Sequence, residues 1–265
     1  MGGGTAPGTA AGALPPYFDF HAPAAWLQIE FISDLHLCGA MPRTLDALAQ
    51  HLQTTTADAV FILGDLFELW VGDDARGLPF PRRCVELLAD AASRLQLAFM
   101  VGNRDFLLGP AMLRECGFMA LPDPTVLTAW GQRVLLSHGD ALCLSDLPYQ
   151  TFRREVRAPD WQVAFLARPL AERIAIAEGM RQASHGRQRF DGAVDTDVDI
   201  AEAVRWMHGL GTPELVHGHT HRPGSELMAP GYKRHVLSDW DLDAGTRAEV
   251  LRLTRDGFVR LPPSR

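Results

Sequence analysis

Short apolar runs alternate with segments of helical periodicity along most of the chain. Five runs are rich in β-forming residues, and they cover residues 27–32, 59–63, 97–101, 133–136 and 214–216. Between them, Leu45, Leu48, Ala49 and Leu52 recur with the spacing of one helix face, and Val85, Leu88, Ala92 and Leu95 do the same. Strands that alternate with helices predict an α/β fold with much parallel pairing. We expect a final hairpin from residues 249–254 and 258–261.

Two stretches of the chain lack this alternation of strands and helices. Residues 1–16 contain five Gly, four Ala and three Pro, a composition that buries too little surface to become ordered. We therefore expect a flexible tail over residues 1–25 and a single domain over residues 26–265. Within that domain, residues 151–190 contain no β-run and carry eight Arg against four acidic residues, together with several large apolar side chains. This composition predicts a helical cap insertion over about residues 146–212.

Each of the five apolar runs stops at residue types that bind metal ions. These residues are Asp34 and His36, Asp65, Asn103, His138 and Asp140, and His217, His219 and His221. Open α/β sheets bind ligands at the carboxyl ends of their strands, so five strand ends can supply one site. A single Asp in such a place is usually a turn or a helix cap, but five coincidences favour a shared site.

The residue types favour a centre with two metal ions. A carboxylate can bridge two ions, and ions about 3.5–4 Å apart stabilise both oxygens of an in-line phosphoryl displacement. Carboxylate, amide and imidazole ligands suit Mn²⁺, with Fe²⁺ or Zn²⁺ as alternatives. No cysteine lies at a strand end, which disfavours a thiolate site. The sequence therefore predicts a dinuclear centre suited to phosphoryl chemistry.

These segments, in this order, resemble the calcineurin-like metallophosphoesterase family, whose motifs are DxH, GDxx, GN(H/R)(D/E), HG and GHxH. The resemblance extends over about residues 29–240 and implies a four-layer α/β/β/α sandwich with the metal site at one edge. By this resemblance the first ion is held by Asp34, His36, Asp65 and His221, and the second by Asp65, Asn103, His138 and His219. His217 has no ligand counterpart, so we expect it either to pack in the core or to support a ligand from behind.

A narrower resemblance is to the branch of this family that cleaves UDP-2,3-diacylglucosamine to UMP and 2,3-diacylglucosamine 1-phosphate in lipid A synthesis. It rests on residues 31–37, 62–74, 102–109, 136–143, 217–223 and 237–240. It implies a manganese-dependent pyrophosphate hydrolase with two Mn²⁺ per chain, peripheral on the cytoplasmic face of the bacterial inner membrane. The substrate contacts that it implies are Asn103, Arg104, Asp146, Ser184, Gln188 and His219. Gln188 and Asp191 stand where this branch usually has Asn and Lys.

Arg104 occupies a position at which many members of the family have a histidine. Arginine cannot protonate a leaving group, because its pKa exceeds about 12. A pyrophosphate needs no such acid, since its leaving group is a phosphomonoester whose second pKa is about 6. A guanidinium also binds phosphoryl oxygens in a bidentate manner. We therefore expect Arg104, His219 and Asp65 to be catalytic; the alternative for Arg104 is a surface ion pair with Asp105.

Charge and cysteine content bear on partners and location. The net charge of −7 argues against a general nucleic-acid-binding protein, and four cysteines without a CxxC pair suit a reducing compartment. The basic and apolar insertion suits a diacyl substrate and an anionic membrane surface. The alternative is a helical hairpin whose Arg side chains are simply solvated. No obligate protein partner is evident from the sequence.

Two other functions stay open. One is a different phosphoesterase on the same scaffold, such as a nucleotide pyrophosphatase or a cyclic-nucleotide phosphodiesterase. A fully soluble substrate would, however, leave the apolar residues of the insertion without a ligand. The other is a non-catalytic scaffold, like the retromer subunit built on this fold. Such scaffolds lose ligand residues, whereas all seven predicted ligand positions are filled here.

Overall fold

The strands of the described residues form two sheets of six strands each. The computed structural model describes residues 13–190 and 196–264, and the side chains of residues 13–180 and 196–264. The strands are β1 (Phe18–His21), β2 (Ile29–Ile32), β3 (Ala59–Leu63), β4 (Gln96–Met100), β5 (Phe118–Ala120), β6 (Thr125–Ala129), β7 (Gln132–Ser137), β8 (Glu214–His217), β9 (Gly224–Ala229), β10 (Tyr232–Val236), β11 (Val250–Thr254) and β12 (Gly257–Leu261). The α-helices are α1 (Pro42–Thr54), α2 (Pro79–Ala92), α3 (Pro110–Glu115), α4 (Leu147–Val156), α5 (Pro159–Leu166), α6 (Leu170–Phe190) and α7 (Ile200–Leu210).

Parallel pairing brings the strand ends of each sheet to a common edge. The first sheet has the order β12-β11-β2-β3-β4-β5, and the second has the order β1-β6-β7-β8-β10-β9. In the first sheet β2, β3, β4 and β5 run parallel, and in the second β7, β8 and β10 do. The five predicted runs are β2, β3, β4, β7 and β8, with ends shifted by at most two residues. The predicted final hairpin is β11 and β12.

Alternation along the strands separates the apolar core into three clusters. Ile29 and Phe31 of β2 face the second sheet, where they share a cluster with Leu136 of β7. Ile32 faces the opposite way and packs with the predicted apolar stripes of α1 and α2. The outer face of the second sheet packs against α7 through Trp206 and its neighbours. This order of helices, sheet, sheet and helix confirms the four-layer α/β/β/α sandwich.

The expected flexible tail is wrong for residues 18–25. Strand β1 pairs in parallel with β6, with Phe18 opposite Thr125. The ring of Phe20 lies 5.8 Å from that of Phe61 and 6.0 Å from that of Trp26, so the segment is ordered by packing on the core. A four-residue strand flanked by prolines is too short to stand out in composition, and only the spacing of its two phenylalanines indicates it. Residues 1–12 of the expected tail lie outside the described residues.

The region in which a helical insertion is expected contains α4, α5, α6 and α7. Helix α7 is part of the sandwich, because Ala203, Met207 and Leu210 are buried against the second sheet. The name cap is therefore used below for α4, α5 and α6. The cap is attached to the first helical layer through Phe165, which is buried in the same cluster as Trp70. None of the described helices combines the length and the apolar character needed to cross a membrane.

The surface of the cap is less basic than its composition suggests. The side chains of Arg153 and Arg157 point inward to the buried Asp140. Arg173 is only 3% exposed, and it binds Asp74 and the carbonyl oxygen of Val71. Carboxylates therefore pair with all three of these arginines, which reduces the positive charge that the cap presents to an anionic surface. Three further arginines, Arg181, Arg187 and Arg189, have side chains outside the described residues.

Candidate metal centre

Five of the seven predicted ligands have a left-handed backbone conformation. Positive φ angles occur at Asp34 (54°), His36 (49°), Asp65 (53°), His219 (67°) and His221 (52°). L-residues rarely adopt this left-handed conformation, and the strain is usually found where a site requires a particular side-chain direction. These ligand loops turn sharply as each strand ends, so that successive side chains point into one shared space.

Two glycines allow the loops to approach one another. A Cβ atom at Gly102 would overlap the carboxylate of Asp65, and a Cβ atom at Gly218 would overlap that of Asp34. No rearrangement of a flexible side-chain end could relieve these overlaps without moving a predicted ligand. The glycines of the GN and GHxH motifs are therefore explained by close packing of backbone against the two carboxylates.

The first group of donors consists of Asp34, His36 and His221, whose donor atoms all lie within 4.8 Å of one another. His36 Nε2 lies 3.2 Å from His221 Nε2, and Asp34 Oδ1 lies 3.4 Å from His221 Nε2. Asp34 Oδ2 accepts hydrogen bonds from the Ser33 hydroxyl at 2.5 Å and from the His219 N–H at 2.9 Å. Among the described residues Asp34 Oδ1 has no hydrogen-bond partner, and this buried oxygen faces the imidazoles of His36 and His221.

The second group of donors consists of Asp65, Asn103, His138 and His219. Asn103 Oδ1 lies 2.9 Å from His138 Nε2 and 2.8 Å from His219 Nδ1. Asp65 Oδ1 lies 3.7 Å from His138 Nε2, while Asp65 Oδ2 lies 4.0 Å from His36 Nε2 of the first group. Asp65 thus lies between the two groups, as does Asp34, whose donor atom is also within 4.8 Å of those of Asp65 and His138.

Neighbouring groups orient the ligand side chains. His138 Nδ1 lies 2.9 Å from the carbonyl oxygen of Leu63, which leaves Nε2 directed at the second group. His36 Nδ1 lies 3.0 Å from Glu68 Oε2, so the Nε2 atom of His36 is likewise directed at the first group. Sequence reasoning missed Glu68, although its place three residues after Asp65 could have indicated it. Carboxylates and carbonyls behind ligating histidines are a usual feature of metal sites.

Electrostatics in the site favour bound cations. Burial raises the pKa of Asp34, but the surrounding imidazoles outweigh burial and hold this pKa below its ordinary value. Burial lowers the pKa of His138, yet the carboxylates of Asp65 and Asp34 raise it overall, to about 9. A buried imidazole that attracts a proton so strongly lies in a strongly negative field, which divalent ions would neutralise.

Asp105 ties two ligand loops together and does not pair with Arg104. It is buried, and its carboxylate accepts hydrogen bonds from the backbone N–H groups of Gly102 at 2.7 Å and Leu66 at 2.8 Å. Burial and the nearby Asp65 raise the pKa of Asp105 to about 7. The alternative of a surface ion pair between Arg104 and Asp105 is therefore wrong, because Asp105 faces the loop interior.

The side chain of Arg104 is half-buried beside the centre. Its backbone N–H donates to Asp65 Oδ1 at 2.8 Å, which places the residue at the edge of both donor groups. Within the part of the chain that the structure describes, no carboxylate forms an ion pair with its guanidinium. A guanidinium that no carboxylate of the described residues neutralises is available to an anionic ligand.

The remaining predicted site residues have different outcomes. Asp146 begins α4, and its Oδ1 accepts a hydrogen bond from the Tyr149 N–H at 3.0 Å, so it caps the helix. His217 is fully buried, and burial lowers its pKa to about 4, in keeping with a packed, neutral imidazole. The side chains of Ser184 and Gln188, like Asp191, lie outside the described residues.

The donor set fits two divalent ions. Donor atoms that share one ion at about 2.0–2.2 Å lie roughly 3–4 Å apart, as the facing atoms of both groups do. A bound ion would also explain Asp34 Oδ1, for which the described residues supply no hydrogen-bond partner. Burial of a carboxylate oxygen without a partner otherwise costs folding free energy. Oxygen and imidazole nitrogen donors without thiolates suit Mn²⁺, Fe²⁺ or Zn²⁺.

The chain is similar in sequence to known proteins over most of its length. Residues 27–223 match the model of the calcineurin-like phosphoesterases. The UDP-2,3-diacylglucosamine hydrolase of Xanthomonas campestris pv. campestris (strain B100) is 42% identical over 243 residues, covering 86% of this chain and 96% of that protein. The protein of the same name from Stenotrophomonas maltophilia (strain R551-3) is 41% identical over 248 residues, with coverage of 86% and 96%. Among solved structures, the phosphoesterase Yfce from E. coli is 16% identical with a TM-score of 0.45, covering 90% of this chain and all of that chain.

Proposed function

Because the chain belongs to the calcineurin-like phosphoesterase family, we propose that it hydrolyses the pyrophosphate bond of UDP-2,3-diacylglucosamine, giving UMP and 2,3-diacylglucosamine 1-phosphate. The observation that carries this proposal is the convergence of seven donor side chains beside Arg104, whose guanidinium has no carboxylate partner among the described residues. The relatives with 42% identity and near-complete mutual coverage bear the name of that hydrolase, which supports the choice of substrate.

We assign the ligands as two sets that share Asp65. Asp34, His36 and His221 complete one set, and Asn103, His138 and His219 complete the other. The observed donor separations support this division, since Asp65 Oδ2 faces His36 and Asp65 Oδ1 faces His138. Manganese is the proposed metal, because the donors are oxygen and imidazole nitrogen atoms.

Each side chain near the metal centre has a distinct role in the proposed reaction. Two divalent ions, when bound, supply an activated water and neutralise charge on the phosphoryl oxygens. Arg104 binds a phosphoryl oxygen and stabilises the negative charge that develops there. The leaving group departs as a phosphomonoester anion and needs no proton from a side chain. His219 and Asn103 line the same space and contact the phosphoryl group as well as their ion.

Exposed apolar residues support a lipid-linked substrate. Leu147 of α4 and Val163 of α5 are each 70% exposed, and Leu166 and Met180 are more than a third exposed. Such side chains in the cap offer contact for acyl chains and for a membrane surface. We propose a peripheral association with the cytoplasmic face of the inner membrane, with the cap toward the lipid.

The test is release of UMP from UDP-2,3-diacylglucosamine by the metal-depleted protein with and without added Mn²⁺. We expect metal-dependent release of UMP and of the acylated sugar phosphate in equal amounts. UDP-glucosamine without acyl chains is the matched substrate, and we expect it to be cleaved far more slowly. Rapid cleavage of a cyclic nucleotide with no cleavage of the diacylated nucleotide would contradict the proposal.

A further inference from the structure

One buried carboxylate joins the cap to the proposed metal centre. Asp140 is fully buried and belongs to neither ligand set, although it follows His138 by two residues. Its Oδ2 accepts hydrogen bonds from the Tyr149 hydroxyl at 2.5 Å and from Arg153 Nε at 2.8 Å, and it lies 3.5 Å from Arg157 Nη2. The loop after β7, which carries the proposed ligand His138, thus contacts three side chains of the cap through Asp140.

Tyr149 and Arg153 lie on one face of α4, and Arg157 follows at the C-terminal cap of this helix. Their spacing of four residues places Tyr149, Arg153 and Arg157 in a row along the helix. Gln150 adds a hydrogen bond from its side-chain amide to the Asp140 carbonyl oxygen at 2.8 Å. Hydrogen bonds between ionised groups are short and strong when water is excluded, so they define where α4 lies.

The same face of α4 reaches two other ligand loops. Arg157 Nη2 donates to the Gly102 carbonyl oxygen at 2.9 Å, immediately before Asn103 and Arg104. The ring of Tyr149 lies 5.8 Å from that of His219. Helix α4 therefore contacts the loops that follow β4, β7 and β8, and Asp140 is the anion on which these contacts converge.

We propose that Asp140 is a positioning residue that holds the cap in register with the metal centre. The proposal rests on the proposed function, because a substrate with one end in the cap and its phosphates at the metals needs both parts at a fixed distance. Displacement of about 1 Å can cost roughly 10²-fold in rate when the reacting groups must be aligned. A small phosphodiester, which occupies the metal centre alone, does not depend on the cap.

The first test compares two substrates with Asp140→Asn, which keeps the shape of the side chain and removes its charge. We expect UMP release from UDP-2,3-diacylglucosamine to fall about 10–100-fold, in line with a small displacement of the cap. Hydrolysis of bis(p-nitrophenyl) phosphate should stay within about twofold, with metal content unchanged. The matched control is Asp160→Asn, an exposed aspartate on α5 that should leave both activities unchanged. An equal loss on both substrates, or a loss of metal, would overturn the proposal.

Tyr149→Phe is a milder variant for use if Asp140→Asn does not fold. It keeps the ring beside His219 and removes one donor to Asp140. We expect the ratio of the two activities to shift in the same direction by a smaller factor. An unchanged ratio in this variant would contradict the role assigned to the Asp140 contacts.

Amide hydrogen exchange tests the cap without any substrate. In Asp140→Asn, or in Tyr149→Phe in its place, we expect exchange over residues 147–156 to become several-fold faster, while β7 and β8 keep their protection. Unchanged exchange in α4, or faster exchange throughout the protein, would overturn the proposal. If the wild-type protein releases no UMP from the diacylated nucleotide, the proposed function fails, and the exchange result still decides whether Asp140 positions the cap.

Discussion

At the scale of single residues, the proposed centre depends on Asp65, the carboxylate that we assign to both ions. Asp65→Ala should remove both ions and lower activity by at least about 10³-fold, because the two ion sites share this ligand. Metal analysis of the purified variant is the measurement. Asp46→Ala is the matched control, since Asp46 is an exposed partner of Arg83 and far from the centre. Retention of two ions per chain in Asp65→Ala would contradict the assignment.

Arg104 is the residue to which the proposed function assigns the choice of substrate. Arg104→Ala should lower UMP release on the order of 10²–10³-fold with metal content intact, as for loss of one preorganised charge-stabilising donor. The guanidinium pairs with no carboxylate in the described parts of the chain, so its removal leaves no buried charge behind. Metal analysis and pyrophosphatase rates together check this expectation.

Arg104→His makes a sharper comparison. A histidine restores a potential proton donor and removes the bidentate contact, so activity on phosphodiesters with poor leaving groups should rise relative to the pyrophosphate. The quantity to measure is the ratio of the two activities in wild type and variant. If this ratio does not move, Arg104 does not select for pyrophosphate, and the choice of substrate depends on similarity to the relatives alone.

At the scale of elements, β1 is one of the strands that the composition of the sequence did not indicate. Phe20→Ala should destabilise the protein by about 2 kcal/mol, because it removes ring contacts with Phe61 and Trp26 from a half-buried site. Phe18→Ala, on the more exposed face of the same strand, is the control, with an expected cost of about 0.5 kcal/mol or less. Denaturant unfolding checks both values. Equal, negligible costs would show that β1 adds nothing to stability.

The ligand loops show why elements matter more than single side chains in this centre. Each loop begins where a buried parallel strand ends, and five of the ligands adopt strained backbone there. Hydrogen bonds from Asp105 hold the loops after β3 and β4 together. The donors are thus arranged before any ion arrives, and the surrounding sheet must supply the energy that maintains the strain.

At the scale of the whole molecule, the cap carries the exposed apolar residues suited to a membrane. Because Arg153, Arg157 and Arg173 face inward, apolar contact should matter more for vesicle binding than charge does. Leu147→Glu combined with Val163→Glu should weaken binding to anionic vesicles at least about tenfold, as buried apolar area is lost. Leu227→Glu is the control, since Leu227 is 73% exposed but lies on β9, outside the cap.

Salt dependence provides a second measurement of the same association. The remaining exposed arginines are screened over about 8–10 Å at physiological ionic strength, so raising the salt concentration should weaken vesicle binding moderately. Sedimentation with vesicles of anionic and of neutral lipid separates the two contributions. Binding that neither substitution in the cap nor salt affects would argue against the proposed orientation.

The sequence alone indicated seven of the twelve strands of the described residues, the apolar stripes of α1 and α2, and the residue types of the proposed ligands, because each of these is a local property. Runs such as residues 59–63 are identified by composition and length. The proposed ligands directly follow these strands, and a parallel sheet brings the ends of its strands to one edge. Only the tertiary structure decided the direction of the cap arginines and the place of β1. Arg173 meets Asp74 across 99 residues of sequence, and Arg157 meets Gly102 across 55. Such partners are chosen by packing in space, which neither periodicity nor charge counting along the chain can reveal.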